Sequence, residues 1–247
     1  MSDAYDPRLL VEGVGPPVVL VPGMDGTGLL FYRQVPRLAR SFRVASYALR
    51  DDATRMAQLV ADLRGIVDAV AGDGGRATIV GESFGGALAM SFALAEPDRV
   101  ERLVILNSFA HLQAPIRLHA AIAALRLMPW GAMTLVRRIT ASRLHSAHTH
   151  RDEVERFLQL TARATRRGYI NRLRLLTTYD LRERLHAVRA PTLFLAADDD
   201  RLVPAVAQAR FMADRVPGAV VRVLAGHGHI CLLAPDVDLD RVLADWC

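Results

Sequence analysis

Short apolar runs bounded by turn residues alternate along most of the chain with segments whose apolar positions recur every three or four residues, which is the pattern of strands alternating with amphipathic helices. Val18-Val19-Leu20-Val21 follows Pro16-Pro17 and stops at Pro22-Gly23-Met24-Asp25-Gly26-Thr27-Gly28, so a strand running into a turn-dense loop is expected. The pattern then predicts a helix over Phe31 to Ala39 and a strand over Phe42 to Leu49. Thr54 to Ala71 places Met56, Leu59, Val60, Leu63, Val67 and Val70 on one helical face, with Gly72 as its stop. Ala77 to Val80 predicts a buried strand, Ala87 to Ala95 a helix and Val100 to Leu106 another strand. From Asn107 to about Val188 the segments are helical, with no convincing strand. Ala190 to Ala197 restores the strand pattern, Pro204 to Arg215 is helical, Ala219 to Leu224 is a final strand, and a last helix is expected to begin near Pro235. This alternation predicts an α/β fold, a mainly parallel sheet flanked by helices on both faces with its chemistry at the carboxyl ends of the strands. Residues 1–110 and 189–247 would form the core, and residues 111–188 an inserted helical region.

Composition narrows the class. A chain of 247 residues that is 51% hydrophobic can bury a sizeable core. Met1 to Asp6 lacks a basic-then-apolar leader and no apolar stretch reaches about 18 residues, so a cytoplasmic protein without stable membrane insertion is expected. Cys231 and Cys247 are too few for a disulfide framework or a cysteine metal site, and are expected to be free thiols. Every one of the 31 basic residues is arginine. Between His111 and Arg189 there are 15 arginines against five acids, while the remainder has 16 against 21, so the positive charge is regional. No aromatic interleaving or nucleic-acid motif accompanies it, and a solvated helical face is expected rather than a nucleic-acid partner.

The chemistry centres on Thr78-Ile79-Val80-Gly81-Glu82-Ser83-Phe84-Gly85-Gly86-Ala87, a G-x-S-x-G match set between the predicted strand and helix. A turn that tight forces Ser83 into a strained conformation with its hydroxyl pushed outward, and glycines on either side remove Cβ atoms that would collide. Two later loops carry further candidates: Asp198, Asp199 and Asp200 before Leu202-Val203-Pro204, and His227 and His229 within Gly226-His227-Gly228-His229-Ile230. Taken together, these motifs resemble the α/β-hydrolase family from about Val18 onward, in which a nucleophile, an acid and a histidine follow in that chain order. The resemblance implies a triad of Ser83, Asp200 and His229: Asp200 stands four residues before Pro204, and His229 has the preceding glycine and following apolar run. It also implies an oxyanion hole from the backbone N–H groups of Met24 and Phe84, although Pro22-Gly23 replaces the family's usual His-Gly pair.

That resemblance implies a serine hydrolase cleaving a carboxylic ester with a small to medium, fairly apolar acyl group, through an acyl-enzyme and with no metal or organic cofactor. Its partner would be a small-molecule ester. Acyl transfer on the same triad, carbon–carbon bond hydrolysis or perhydrolysis, and a non-catalytic ligand receptor are the alternatives. The stretch Gly228 to Leu233 resembles family acyltransferases as much as esterases, and the Pro22 to Gly28 loop with Gly81 to Gly86 loosely resembles plastid-type phytyl ester synthase relatives. The inserted region would be a helical cap, in which Leu118, Ile122, Leu125 and Met128, with Trp130 beyond them, either pack the cap's own core or line an acyl pocket. His145, His148 and His150, without cysteines or many carboxylates nearby, read as surface residues rather than metal ligands.

Overall fold

A computed structural model describes residues 9–112 and 115–246. In chain order the elements are β1 (Leu10–Glu12), β2 (Pro17–Val21), α1 (Val35–Leu38), β3 (Arg43–Ser46), α2 (Met56–Ala71), β4 (Ala77–Glu82), α3 (Phe84–Ala95), β5 (Val100–Leu106), α4 (Pro115–Leu127), α5 (Met133–Leu144), α6 (Arg151–Thr161), α7 (Arg166–Thr177), β6 (Thr192–Ala197), α8 (Ala205–Ala213), β7 (Val220–Leu224) and α9 (Leu239–Ala244). The strands form one seven-stranded sheet in the order β1-β3-β2-β4-β5-β6-β7, parallel except where β1 pairs antiparallel with β3.

Side-chain alternation along the strands builds two cores. Val19, Val21, Ile79, Leu103, Ile105 and Phe194 point to the face covered by α2, α3 and α8. Val18, Leu20, Val80, Val104, Leu106 and Leu193 point to the opposite face, closed by α1 and α9. The central β4 is buried along its whole length, which is why its sequence lacks the apolar-polar alternation of a strand with one solvated face.

Several boundaries differ from the pattern-based expectation, each for a local reason. The helix expected over Phe31 to Ala39 is a 3₁₀ turn at Leu29–Phe31 followed by α1, because Pro36 tolerates only the first turn of a helix. The last helix starts at Leu239, not near Pro235: the buried Gln34 side chain donates to the carbonyls of Leu232 (2.8 Å) and Val237 (2.9 Å) and holds that stretch irregular, and Asp238 then caps α9 through the Asp240 N–H. The edge strand β1 escaped the pattern because all three of its residues are exposed.

Helices α4 to α7 lie between β5 and β6. Ile122, Leu125, Met133 and Ile170 form a small core of their own, against which Met128 and Trp130 pack. A second cluster joins Ala141 and Phe157 to Ile230 and Leu233, tying these helices to the loop that carries His229. Two of the region's arginines are not on a solvated face: Arg137 and Arg172 are buried, with Arg137 lying over the Trp130 ring at 5.4 Å. His145 is also buried rather than superficial, its Nδ1 2.8 Å from the Ala141 carbonyl and its ring edge-on to Phe157. Among the described residues no helix is long and apolar enough to cross a membrane. Cys231 is a buried free thiol, and Cys247 lies outside the described residues.

Candidate active site

The turn between β4 and α3 sets Ser83 at φ 55°, ψ −120°, a region that side chains other than glycine rarely adopt. Its neighbours explain why the chain can close there: a Cβ on Gly81 would stand 2.4 Å from the Gly85 carbonyl oxygen, and one on Gly85 would stand 2.2 Å from that of Val21. The backbone of Ser83 is pinned from β5, since its N–H donates to the Leu106 carbonyl (2.9 Å) and its carbonyl accepts from the Ser108 hydroxyl (2.7 Å).

Asp200 and His229 meet beyond the ends of β6 and β7. Asp200 Oδ1 accepts from the N–H groups of Leu202 (2.8 Å) and Val203 (2.9 Å), which leaves Oδ2 for the His229 Nδ1 at 2.7 Å. Both side chains are almost wholly buried. With Nδ1–H given to the carboxylate, the His229 Nε2 is left as a hydrogen-bond acceptor. The neighbouring aspartates do other things: Asp198 accepts from Gly226 N–H (2.7 Å), and Asp199 pairs with the exposed Arg201 (3.1 Å). His227 neither faces solvent nor lines the cavity; it is buried, with its Nδ1 2.9 Å from the Ser146 hydroxyl.

Ser83 and His229 share a cavity of about 110 Å³. Met24, Leu30, Leu144, Phe157 and Ile230 give it an apolar wall, while Asp25, Glu82 and Tyr169 add polar groups. The Pro22 to Gly28 loop comes close, since a Cβ on Gly23 would sit 3.8 Å from that of Ser83. The N–H groups of Met24 and Phe84 find no acceptor among the described residues.

Two groups that hold this arrangement, and a third buried beside it, were not read from the sequence. Asn107, at φ 44°, joins three strand ends: its Nδ2 donates to the His229 carbonyl (2.8 Å), and its Oδ1 accepts from the Ala197 N–H (2.8 Å) next to the acid loop. Arg172, from α7, donates through Nε to the Met24 carbonyl (2.8 Å) and through Nη2 to the Asp25 carbonyl (3.1 Å), and pairs with Asp51 (3.2 Å). Gly26 makes room for it, because a Cβ there would lie 2.5 Å from the guanidinium. Glu82 is buried with Oε1 unpartnered, and burial pushes its carboxyl from 4.5 up to about 7.

Glu82 gives a pH-dependent prediction. The folded chain holds this proton where the unfolded chain has released it, so the contribution of Glu82 to stability falls as pH rises from about 4.5 to about 7 and is level outside that window. Glu82→Gln lacks the penalty and should gain up to about 3 kcal/mol on the wild type between pH 5 and pH 8 in urea unfolding. Parallel pH profiles for the two proteins would refute it.

The sheet order, the strained serine between β4 and α3 and the acid and histidine beyond later strands together define an α/β hydrolase. The family described as "Serine aminopeptidase, S33" matches residues 45–233, and the chain belongs to this α/β-hydrolase family. A protein of Variovorax paradoxus named "Putative carbamate hydrolase RutD" is 30% identical over 94% of this chain and 91% of its own length. Its namesake in Azorhizobium caulinodans is 28% identical over 96% and 93%. A thermophilic esterase from Thermogutta terrifontis superposes with a TM-score of 0.85 at 23% identity, covering 96% of this chain and 91% of the esterase, which is a likeness of fold.

Proposed function

We propose that this protein cleaves a carboxylic ester with a small, apolar acyl group by way of an acyl-enzyme. The observation that carries the reading is the 2.7 Å pair between Asp200 and His229, whose imidazole opens onto the same cavity as Ser83. Ser83 Oγ attacks the acyl carbonyl while His229 Nε2 takes its proton, and Asp200 keeps the imidazole in the right tautomer and stabilises the imidazolium. The N–H groups of Met24 and Phe84 receive the developing oxyanion. The imidazolium returns its proton to the leaving alcohol as the ester bond breaks. Water, deprotonated by His229, then releases the acid and restores Ser83. Helices α4 to α7 act as a cap, contributing Leu144, Phe157 and Tyr169 to the cavity wall.

The cavity size sets the acyl preference. A cavity of about 110 Å³ is far below the ~300–1,000 Å³ typical of small-molecule sites and leaves no room for a long chain. Among p-nitrophenyl esters, kcat/KM should peak between acetyl and butyryl and fall at least about tenfold by octanoyl, where apolar pockets discriminate by a few kcal/mol at most. A rate that climbs to octanoyl would overturn the size argument. Faster ester consumption with no extra free acid when an alcohol is added would replace hydrolysis by acyl transfer.

A carbamate is the second reading, favoured by one group in the cavity and by the names of the relatives. Asp25 is buried and lines the cavity beside the Gly23-Met24 turn; its Oδ1 accepts from the Thr27 N–H (2.9 Å) and hydroxyl, which leaves Oδ2 as an acceptor that a carbamate N–H can use and that finds no donor on an ester. Asp25→Asn should therefore lower carbamate turnover more than turnover of the matched ester; equal losses would remove the carbamate reading.

A further inference from the structure

We infer that His148, His227 and Asp236 form a site for a zinc-like divalent ion that fastens the inserted helices to the loop bearing His229. His148 comes from the segment between α5 and α6, whereas His227 and Asp236 belong to the carboxyl-terminal part of the chain beyond β7. His148 Nε2 lies 2.8 Å from Asp236 Oδ1 and His227 Nε2 lies 3.4 Å from Asp236 Oδ2, with the two rings 4.7 Å apart. The three ligand atoms lie within 4.8 Å of one another. Tetrahedral zinc, with bonds of about 2.0–2.2 Å, needs ligand atoms roughly 3.4 Å apart. His148 and Asp236 are exposed, so both side chains have room to rotate toward a shared ion.

The third ligand is prepared for the role. His227 is buried, and its Nδ1 is held by the Ser146 hydroxyl, which also accepts from the Gly228 N–H (3.3 Å). A second contact on the far nitrogen is what orients a metal-binding imidazole and presents Nε2 outward. Two imidazoles and one carboxylate suit Zn²⁺, Ni²⁺ or Cu²⁺ and are a poor set for Mg²⁺ or Ca²⁺, with water completing the shell.

The ion sits outside the reaction and acts on architecture. Ser146 and His148 are contributed by one side and His227, Gly228 and Asp236 by the other, and the Leu144 carbonyl already accepts from Ile230 N–H (2.8 Å) in the same seam. Bound metal would hold that seam shut.

The test is zinc chloride titrated into the purified chain against a chromophoric chelator, with thermal unfolding and hydrogen exchange followed in parallel. One equivalent should bind with a Kd of about 10 µM or tighter, raise Tm and slow exchange across residues 144–150. His148→Ala and Asp236→Asn, both at exposed positions, should each weaken binding at least about tenfold, while His150→Ala leaves it unchanged. No binding below about 100 µM, or equal affinity in wild type and His148→Ala, would overturn the site, whatever the esterase assays show.

Discussion

Ser83→Ala is expected to lower kcat for small esters by about 10⁴- to 10⁶-fold while leaving a folded protein. The fold survives because the Ser83 hydroxyl has no capping role at the start of α3, and the bonds that hold the turn are made by its backbone N–H and carbonyl. Alanine keeps both. On the proposed mechanism, what disappears is the oxygen that would carry the acyl group, whereas the apolar wall of the cavity remains to bind substrate. KM should therefore move little, and labelling by a fluorophosphonate should vanish. Adding His229→Ala to this variant should cost little further rate, because groups that act as a unit lose their effect together. Appreciable turnover by Ser83→Ala would sink the assignment of the nucleophile.

The second large effect is expected at Asp200, where asparagine should cost about 10⁴-fold in kcat. Asp200 Oδ1 is committed to the Leu202 and Val203 N–H groups, so an asparagine there keeps its oxygen on those donors and turns its NH₂ toward His229. That amide demands an acceptor at Nδ1 and drives the imidazole into the tautomer whose Nε2 carries a proton, which cannot take one from Ser83. Asp199→Asn removes only an exposed pair with Arg201, and Asp198→Asn still offers an oxygen to Gly226 N–H, so both should stay within about threefold of wild type. The same contrast separates the histidines: His229→Ala should fall with Asp200→Asn, and His227→Ala should not. Comparable losses at Asp199 or His227 would show that the acid and base were chosen wrongly.

The sheet and the serine turn were legible because each rests on a local signal. β4 and β6 are buried along their length, as is β5 from Leu103 onward, and the turn at Ser83 needs glycine at two defined offsets. The loops carrying Asp200 and His229 were legible in outline, and those two side chains lie 2.7 Å apart. Groups that act across the fold left no such trace. Arg172 looks like one more arginine of a basic helix, and only the folded chain shows its guanidinium under the Met24 and Asp25 carbonyls. Asn107 reads as a loop residue after a strand, although an asparagine at that position is what tolerates positive φ and reaches two neighbouring loops at once. His227 was obscured by its spacing: one residue either side of a glycine decides which histidine faces Asp200 and which faces Ser146.

Arg172 bears on how this enzyme could diversify. Its charge is fully buried, and it is satisfied by two carbonyls of the loop before α1 and by Asp51. Stripping a partner from such a buried charge typically costs 3–5 kcal/mol, a large part of the stability of an ordinary domain. The helices that would choose the substrate thus also shape the turn that would receive the oxyanion. An exchange of these helices between relatives cannot be a free swap of specificity: a transplanted set must bring an arginine at the equivalent turn of its last helix, or the recipient loop must first acquire another anchor.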